Sequence, residues 1–189
     1  TLSWLLRTPR PVLVVDWSEL KSDGRWHLLR AGVVARGRTL TVYEEVHPTA
    51  QLGSPRIEAA FLQRLQALLP ADLRPIVVTD AGFRVPWFRT VEALGWQFVG
   101  RVRHRSRVRF LNAARNDIWI ACKALYRRAR TRAVTLGAVE LTESKRFVCR
   151  LTLVRRRARG RVHRRRDGQR TRGGYSRKMA AREREPWLL

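Results

Sequence analysis

Short β-branched runs and alternating apolar positions dominate the first 50 residues, and both patterns predict strands. Residues 11–16 (PVLVVD) form a buried run that ends in an acid. Residues 26–35 and 39–46 alternate, and each stretch follows a glycine turn signal, at Gly24 and Gly37. The pattern therefore predicts a three-stranded antiparallel meander.

Helical spacing begins after Ser54, a preferred N-cap residue, and Pro55, which is favoured at the first helical position. Apolar residues recur at this spacing over residues 57–68, and Pro70 ends the helix. A buried strand, a second helix and a fifth strand follow, at residues 76–80, 87–94 and 96–102. The order β-β-β-α-β-α-β, a meander followed by α/β crossovers, predicts an α/β protein with a ribonuclease H-like fold.

The chain beyond residue 103 has a different pattern, basic and irregular at first. Alternation at residues 133–141 and 146–154 then predicts a β-hairpin. Residues 155–178 are rich in Arg and have too few apolar side chains to offset the entropy of ordering, so we expect a disordered loop. The predicted organisation is the first part of a ribonuclease H-like core, a basic β-rich insertion and the start of a returning core strand, at residues 1–103, 104–182 and 183–189.

Positive charge is concentrated in the second half of the chain. The 189 residues include 40 Lys+Arg and 15 Asp+Glu, for a net charge of +25. Residues 1–95 hold 12 basic and 9 acidic residues (+3), and residues 96–189 hold 28 and 6 (+22). A charge of this size indicates a polyanionic partner or a membrane surface. Arg supplies most of it, and Arg binds phosphate through two parallel hydrogen bonds, which suits a nucleic-acid surface.

Several other classes of protein are disfavoured by the sequence. No apolar run reaches the roughly 18 residues of a transmembrane helix, so we expect no membrane partner. Cys122 and Cys149 stand far apart outside any paired motif, which argues against a disulfide scaffold and a Cys-rich zinc site. This cysteine usage is typical of a reducing cytoplasm.

Two acids stand at strand ends that a ribonuclease H-like sheet places side by side. Asp16 ends the first predicted strand and Asp80 ends the fourth. Converging carboxylates repel each other, and a divalent cation commonly offsets that repulsion. Oxygen ligands favour Mg²⁺, with Mn²⁺ as the alternative, and such ions promote phosphodiester cleavage. The alternative is that each acid caps its strand end or the turn that follows.

Four stretches of the sequence together resemble the bacterial DDE transposases of the IS-four family of insertion sequences. They are VLVVDWSEL (12–20), VVTDAGFRVPWFRTVEALGWQFVGRVR (77–103), TLGAVELTESK (135–145) and EREPWLL (183–189). The combination of the DWS and TDAGFRVPW motifs is specific, whereas neither motif would be so alone. The stretches span nearly the whole chain in the family's order.

The resemblance implies roles for five residues. Asp16 and Asp80 match the first and second catalytic aspartates, which bind Mg²⁺. Arg101 matches a basic position that contacts transposon-end DNA, with Arg103 beside it. Trp187 matches an aromatic residue that stacks on a base flipped out of the DNA end. The implied partners are double-stranded DNA, at transposon ends and target, and a second copy in a homodimeric synaptic complex, in the bacterial cytoplasm at the nucleoid.

The family's third catalytic carboxylate has no counterpart in this sequence. It is a Glu on a helix beyond the PWLL strand, within a Tyr-Arg-Glu-Lys signature, whereas this sequence stops at Leu189. We therefore expect a fragment with two of three metal ligands that does not catalyse transposition alone. The alternatives are a non-enzymatic basic nucleic-acid-binding protein and another ribonuclease H-like nuclease.

Overall fold

The computed structural model describes most of the 189-residue chain, in two compact units. The described residues are 8–21, 23–35, 37–103, 105–111, 118–157, 164, 168–170, 173–174 and 185–189. The first unit is Thr1–Arg101 and the second is Val102–Leu189. The predicted Arg-rich loop at residues 155–178 lies largely outside the described residues. Among the helices of the described ranges, none has the length and apolar character needed to cross a bilayer.

The first unit is built on a five-stranded sheet in the order β3-β2-β1-β4-β5. The strands are β1 (Val12–Glu19), β2 (Trp26–Ala35), β3 (Arg38–Pro48), β4 (Ile76–Thr79) and β5 (Gln97–Gly100). The first three pair antiparallel, which confirms the predicted meander. Strands β4 and β5 run parallel to β1 on its other side. The expected order of strands and helices in this half of the chain is confirmed.

Two helices connect these strands, after a short 3-10 helix at Thr49–Gln51. Helix α1 (Pro55–Leu68) follows Ser54, which has the extended backbone of an N-cap residue but makes no capping hydrogen bond through its side chain. Helix α2 (Val85–Ala93) begins two residues earlier than the apolar spacing predicts. A proline in the first turn of each helix suits a position where no backbone N–H is needed.

The helices cover one face of the sheet, and the core lies there. Fully buried side chains of β1, β2 and β4 on this face pack with those of α1 and α2; they include Leu13, Val15, Leu29, Ala31, Val77, Phe61, Leu65 and Val91. On the opposite face of the sheet, Val34, Val46 and Val99 are exposed. Because strand side chains alternate, Val14 and Asp16 belong to this second face.

The fifth strand is shorter than the sequence predicts. Alternation predicts residues 96–102, whereas β5 ends at Gly100. Strand β4 stops at Thr79. One further backbone hydrogen bond, from the Arg101 N–H to the Thr79 carbonyl (3.2 Å), extends the pairing of β4 with β5. Val102 instead forms an antiparallel bridge with Leu188 in the second unit.

The second unit contains a separate antiparallel sheet in the order β10-β9-β8-β6-β7. Its strands are β6 (Arg107–Phe110), β7 (Ile120–Ala121), β8 (Val134–Leu141), β9 (Phe147–Val154) and β10 (Trp187–Leu188). Strands β8 and β9 form the predicted hairpin. Strands β6 and β7, with the short helix α3 (Cys122–Leu125), lie where the sequence pattern was irregular. The sequence predicts the start of a returning core strand at residues 183–189; in the structure Trp187 and Leu188 pair with β9.

Candidate active site

One row of paired residues crosses three parallel strands, and Asp16 and Asp80 come directly after the members of this row in β1 and β4. Val15 of β1 pairs with Thr79 of β4, and Thr79 pairs with Gly100 of β5. Asp16 and Asp80 are the next residues along their strands. Neighbouring strands lie about 4.8 Å apart. The structure therefore brings these two acids to adjacent positions, as the strand order predicts.

Both acids lie on the sheet face that the helices leave open. Val15 is buried on the helical face, so alternation directs Asp16 to the other face. Asp80 is the first residue after β4 and lies close enough to Asp16 for its charge to raise the Asp16 pKa. Asp16 and Asp80 are both exposed. Their carboxyl oxygens are therefore available to a ligand from solvent.

The electrostatics of Asp16 suit a cation. Its pKa is raised above the ordinary Asp value, first because surrounding protein removes part of its water and second because of the negative charge of Asp80. A hydrogen bond to the backbone of Trp17 acts in the opposite direction. Two carboxylates that repel each other across adjacent strands match the oxygen donor set of a hard divalent ion.

The turn after β4 holds the Asp80 side chain. The Gly82 backbone N–H donates a hydrogen bond to Asp80 Oδ1 at 2.7 Å. A Cβ atom at residue 82 would lie 2.8 Å from the same oxygen, closer than real Cβ atoms come to a neighbour. A larger residue at position 82 would therefore displace the Asp80 carboxylate from this position.

A third metal-binding side chain does not join these two acids within the described ranges. The described residues contain no group of three or more His, Cys, Asp or Glu placed to hold a metal. Among the remaining acids of the first unit, Glu58 is nearly fully buried (4% exposed) and accepts a hydrogen bond from the indole of Trp17. Trp17 follows Asp16 in β1 and therefore belongs to the helical face, so Glu58 and Asp16 lie on opposite sides of the sheet.

Sequence reasoning did not single out Glu58, although a signal was present. Glu58 stands three residues before Phe61 and seven before Leu65, which places a carboxyl group on the buried stripe of α1. A charged residue at a core position of an amphipathic helix has a specific partner in most proteins. The partner, Trp17, is 41 residues away in sequence, so no local pattern indicates the pair.

Arg101 stands beside Asp80 at the end of the parallel strands. It follows Gly100, the register partner of Thr79, and its backbone N–H extends the ladder to the Thr79 carbonyl. Arg101 is half-buried. Asp80 and Arg101 directly follow β4 and β5, and Asp16 lies in the same row. The sequence predicts that the first strand ends at Asp16, which is wrong, because pairing with β2 extends β1 to Glu19.

Arg103 and Trp187 occupy opposed positions within the second unit. The antiparallel bridge between Val102 and Leu188 places Arg103 directly opposite Trp187. The guanidinium carbon of Arg156 lies 5.3 Å from the centre of a Trp187 ring, which is cation–π range. The second unit therefore carries a cluster of two arginines around one half-buried tryptophan.

Other arginines of the second sheet are paired with acids. Arg109 donates to Glu140 at 2.5 and 3.0 Å across β6 and β8, and its guanidinium lies 5.6 Å from the centre of a Trp119 ring. Arg107 is 2.6 Å from Glu143. These pairs reduce the free positive charge of the sheet, whereas Arg156 lies over an aromatic ring.

The chain matches the model of a known protein family. The family model described as the transposase DDE domain matches residues 7–169, which is most of the chain. The matched range contains both Asp16 and Asp80 and extends through the β8–β9 hairpin. No curated protein matches the chain.

Proposed function

Because this chain belongs to the transposase DDE domain family, we propose that it serves Mg²⁺-dependent strand cleavage and strand transfer at transposon ends. The observation that carries this proposal is the placement of Asp16 and Asp80 on neighbouring parallel strands of the matched domain. The DWS and TDAGFRVPW motifs support assignment to the IS-four family. The sheet order β3-β2-β1-β4-β5 supports a ribonuclease H-like catalytic core.

Asp16 and Asp80 would hold the divalent ion. A bound Mg²⁺ or Mn²⁺ would supply positive charge that activates the attacking oxygen and stabilises the leaving oxygen of a phosphodiester. The protein's own contribution is to keep two carboxylates together despite their repulsion. Adjacent strands hold the two residues, and the Gly82 N–H orients the Asp80 carboxylate.

Basic and aromatic groups would bind the DNA. Arg101, at the end of β5, is placed to bind a phosphate beside the acids. In the second unit, Trp187 would offer a stacking surface for an extrahelical base, with Arg103 and Arg156 contacting phosphates. Stacking of this kind offsets part of the cost of unstacking the base. The partner would be double-stranded DNA at the nucleoid, bound by a homodimer.

A non-enzymatic DNA-binding role is the second candidate. It is favoured by the finding that two acids, and not three, converge within the described residues. For the same reason we expect residues 1–189 alone to cleave DNA slowly at most, because too few ligands among the described residues hold the ions and orient the nucleophile. Another ribonuclease H-like nuclease would cleave DNA without joining ends.

One assay separates these candidates. Residues 1–189 are incubated with Mn²⁺ or Mg²⁺ and a DNA duplex that carries a transposon end, and nicked and joined products are resolved. Slow products that require metal and disappear in Asp16→Asn and Asp80→Asn support the transposase reaction. Nicking without joining indicates another nuclease. DNA binding without metal-dependent products, both by residues 1–189 and by a version extended through the family's Tyr-Arg-Glu-Lys helix, indicates the non-enzymatic role.

A further inference from the structure

Glu58 is the most deeply buried acid described in the first unit, and its position needs an explanation. The side chain is 4% exposed on the face of α1 that packs against the sheet. Burial raises its pKa, while the hydrogen bond from Trp17 and the charge of Arg84 act in the opposite direction. Burying a carboxyl group destabilises the fold unless it is well paired. An apolar residue would fill this core position with a smaller loss of folding free energy.

The contact that Glu58 makes leads to the candidate metal site. The Trp17 indole Nε1–H donates to Glu58 Oε1 at 3.2 Å. Trp17 directly follows Asp16, and its backbone interacts with the Asp16 carboxyl through a hydrogen bond. Glu58 and Asp16 are therefore joined through one residue, from the helical face of the sheet to the open face.

The C-terminal half of β1 lacks pairing with β4. Strand β4 pairs with β1 only as far as Val15, while β2 pairs on the other side through Glu19. Asp16 and Trp17 therefore belong to a segment that is hydrogen-bonded along one edge. Anchoring the Trp17 side chain to α1 restrains this segment from a second direction.

A second contact restrains the same indole. The ring of His47 meets the Trp17 ring edge-on, with ring centres 5.6 Å apart. His47 is itself held between Glu45 Oε2 (2.8 Å) and Gln51 Oε1 (2.9 Å). The indole thus has one fixed aromatic neighbour and one fixed hydrogen-bond acceptor, which leaves it little rotational freedom.

We propose that Glu58 is a positioning residue for the first aspartate: by holding the Trp17 indole, it fixes the C-terminal half of β1 and the Asp16 carboxyl. This inference rests on the metal-binding role of Asp16 proposed above. Groups that orient a metal ligand without binding the metal themselves change metal affinity by about 10- to 100-fold when they are removed. The hydrogen bond needs an acceptor and not a charge, so Gln should replace Glu58 in this role.

The test measures Mn²⁺ affinity of the whole chain by electron paramagnetic resonance, with Mn²⁺ alone as the probe. Glu58→Leu removes the acceptor and Trp17→Phe removes the donor. We expect each to weaken Mn²⁺ binding about tenfold, and the double variant to be no weaker than either single variant. Glu58→Gln should remain within about twofold of wild type, because it keeps the acceptor.

A spectroscopic signal reports the contact without metal. The indole N–H resonance of Trp17, identified by its loss in Trp17→Phe, should shift in Glu58→Leu and stay near its wild-type position in Glu58→Gln. Leu65→Val, on the same face of α1, is the matched control for general destabilisation. It should leave both the resonance and the Mn²⁺ affinity unchanged.

The outcomes separate this inference from the proposed function. If wild type binds Mn²⁺ no more tightly than Asp16→Asn, the proposed metal site and the proposed role of Glu58 are both wrong. If Asp16→Asn loses affinity while folded Glu58→Leu and Trp17→Phe bind like wild type, the role of Glu58 alone is wrong. If Glu58→Leu does not fold, Trp17→Phe decides: a loss of affinity supports the inference and wild-type affinity overturns it.

Discussion

At the scale of single residues, the two acids of the open face and the buried acid of α1 carry most of the chemistry. Asp16 and Asp80 are exposed and repel each other, which disfavours the empty site and favours a bound cation. Glu58 is buried and bound to a neutral donor. Carboxyl groups thus have two different roles in this protein, and the side of the sheet on which each group lies determines its role.

The stability of the protein should depend on pH through Glu58. Its pKa is raised by burial, so the folded state disfavours its ionised form. This penalty is absent below the unfolded value near 4.5 and grows as pH rises through the folded pKa. Glu58→Gln should therefore raise the free energy of unfolding more at pH 7 than at pH 3.5. Urea unfolding at several pH values measures it, and an equal gain at pH 3.5 and pH 7 would contradict the prediction.

Gly82→Ala should impair the Asp80 carboxylate without unfolding the protein. The new Cβ would lie 2.8 Å from Oδ1, so the side chain must rotate and its hydrogen bond to the residue 82 N–H is lost. We expect Mn²⁺ affinity to fall by roughly tenfold, with thermal unfolding nearly unchanged. Asp80→Asn is the companion variant, since it keeps an acceptor oxygen and loses the charge. Wild-type Mn²⁺ affinity in Gly82→Ala would show that the orientation of Asp80 is unimportant.

At the scale of elements, the packing of α2 on β5 sets where β5 and Arg101 lie. The rings of Phe88 and Phe98 stack with centres 4.7 Å apart. Gly100 lies beneath the Phe88 ring, and an added Cβ would overlap the ring atoms. Glycine at this position therefore allows the helix to approach the strand next to the row of Asp16, Asp80 and Arg101.

Gly100→Ala should destabilise the first unit. The overlap forces Phe88 out of its buried position, and overpacking of this kind costs about 1–3 kcal/mol. The neighbouring substitution Val99→Ala, on the open and partly exposed face, is the matched control and should cost less than about 1 kcal/mol. Chemical denaturation compares the two. Equal stability of Gly100→Ala and wild type would mean that α2 does not pack closely on β5.

How much of this arrangement the sequence predicts differs between elements. The adjacency of Asp16 and Asp80 follows from strand order, because β-branched runs and turn glycines mark the strands locally. The pair of Glu58 and Trp17 does not follow, because it is a contact between distant residues in which a charged group occupies a core position. The early end of β5 and the bridge from Val102 to Leu188 likewise depend on long-range pairing.

At the scale of the whole molecule, charge asymmetry should govern DNA binding. Residues 96–189 carry a balance of +22, from 28 basic and 6 acidic residues, and residues 1–95 carry +3. Neutralising Z phosphates gives a slope of about −0.9Z in a plot of log affinity against log salt. Affinity should therefore be high, weakly dependent on sequence and steeply dependent on salt.

Removal of residues 155–172 should reduce the magnitude of that slope and leave the fold intact, since those residues include many arginines and few apolar side chains. Fluorescence anisotropy with a labelled duplex at several salt concentrations measures the slope, and circular dichroism verifies the fold. A salt-independent affinity of the wild-type chain would contradict the electrostatic explanation.

The most direct test of the central claim is Mn²⁺ binding by the two aspartate variants, measured by calorimetry. We expect Asp16→Asn and Asp80→Asn each to weaken binding at least about tenfold, because each removes one of two shared oxygen ligands. Asp72→Asn is the matched control, because Asp72 is an exposed aspartate that precedes β4 at its other end, and it should bind like wild type. Wild-type affinity in Asp16→Asn or Asp80→Asn would show that these acids do not form a metal site.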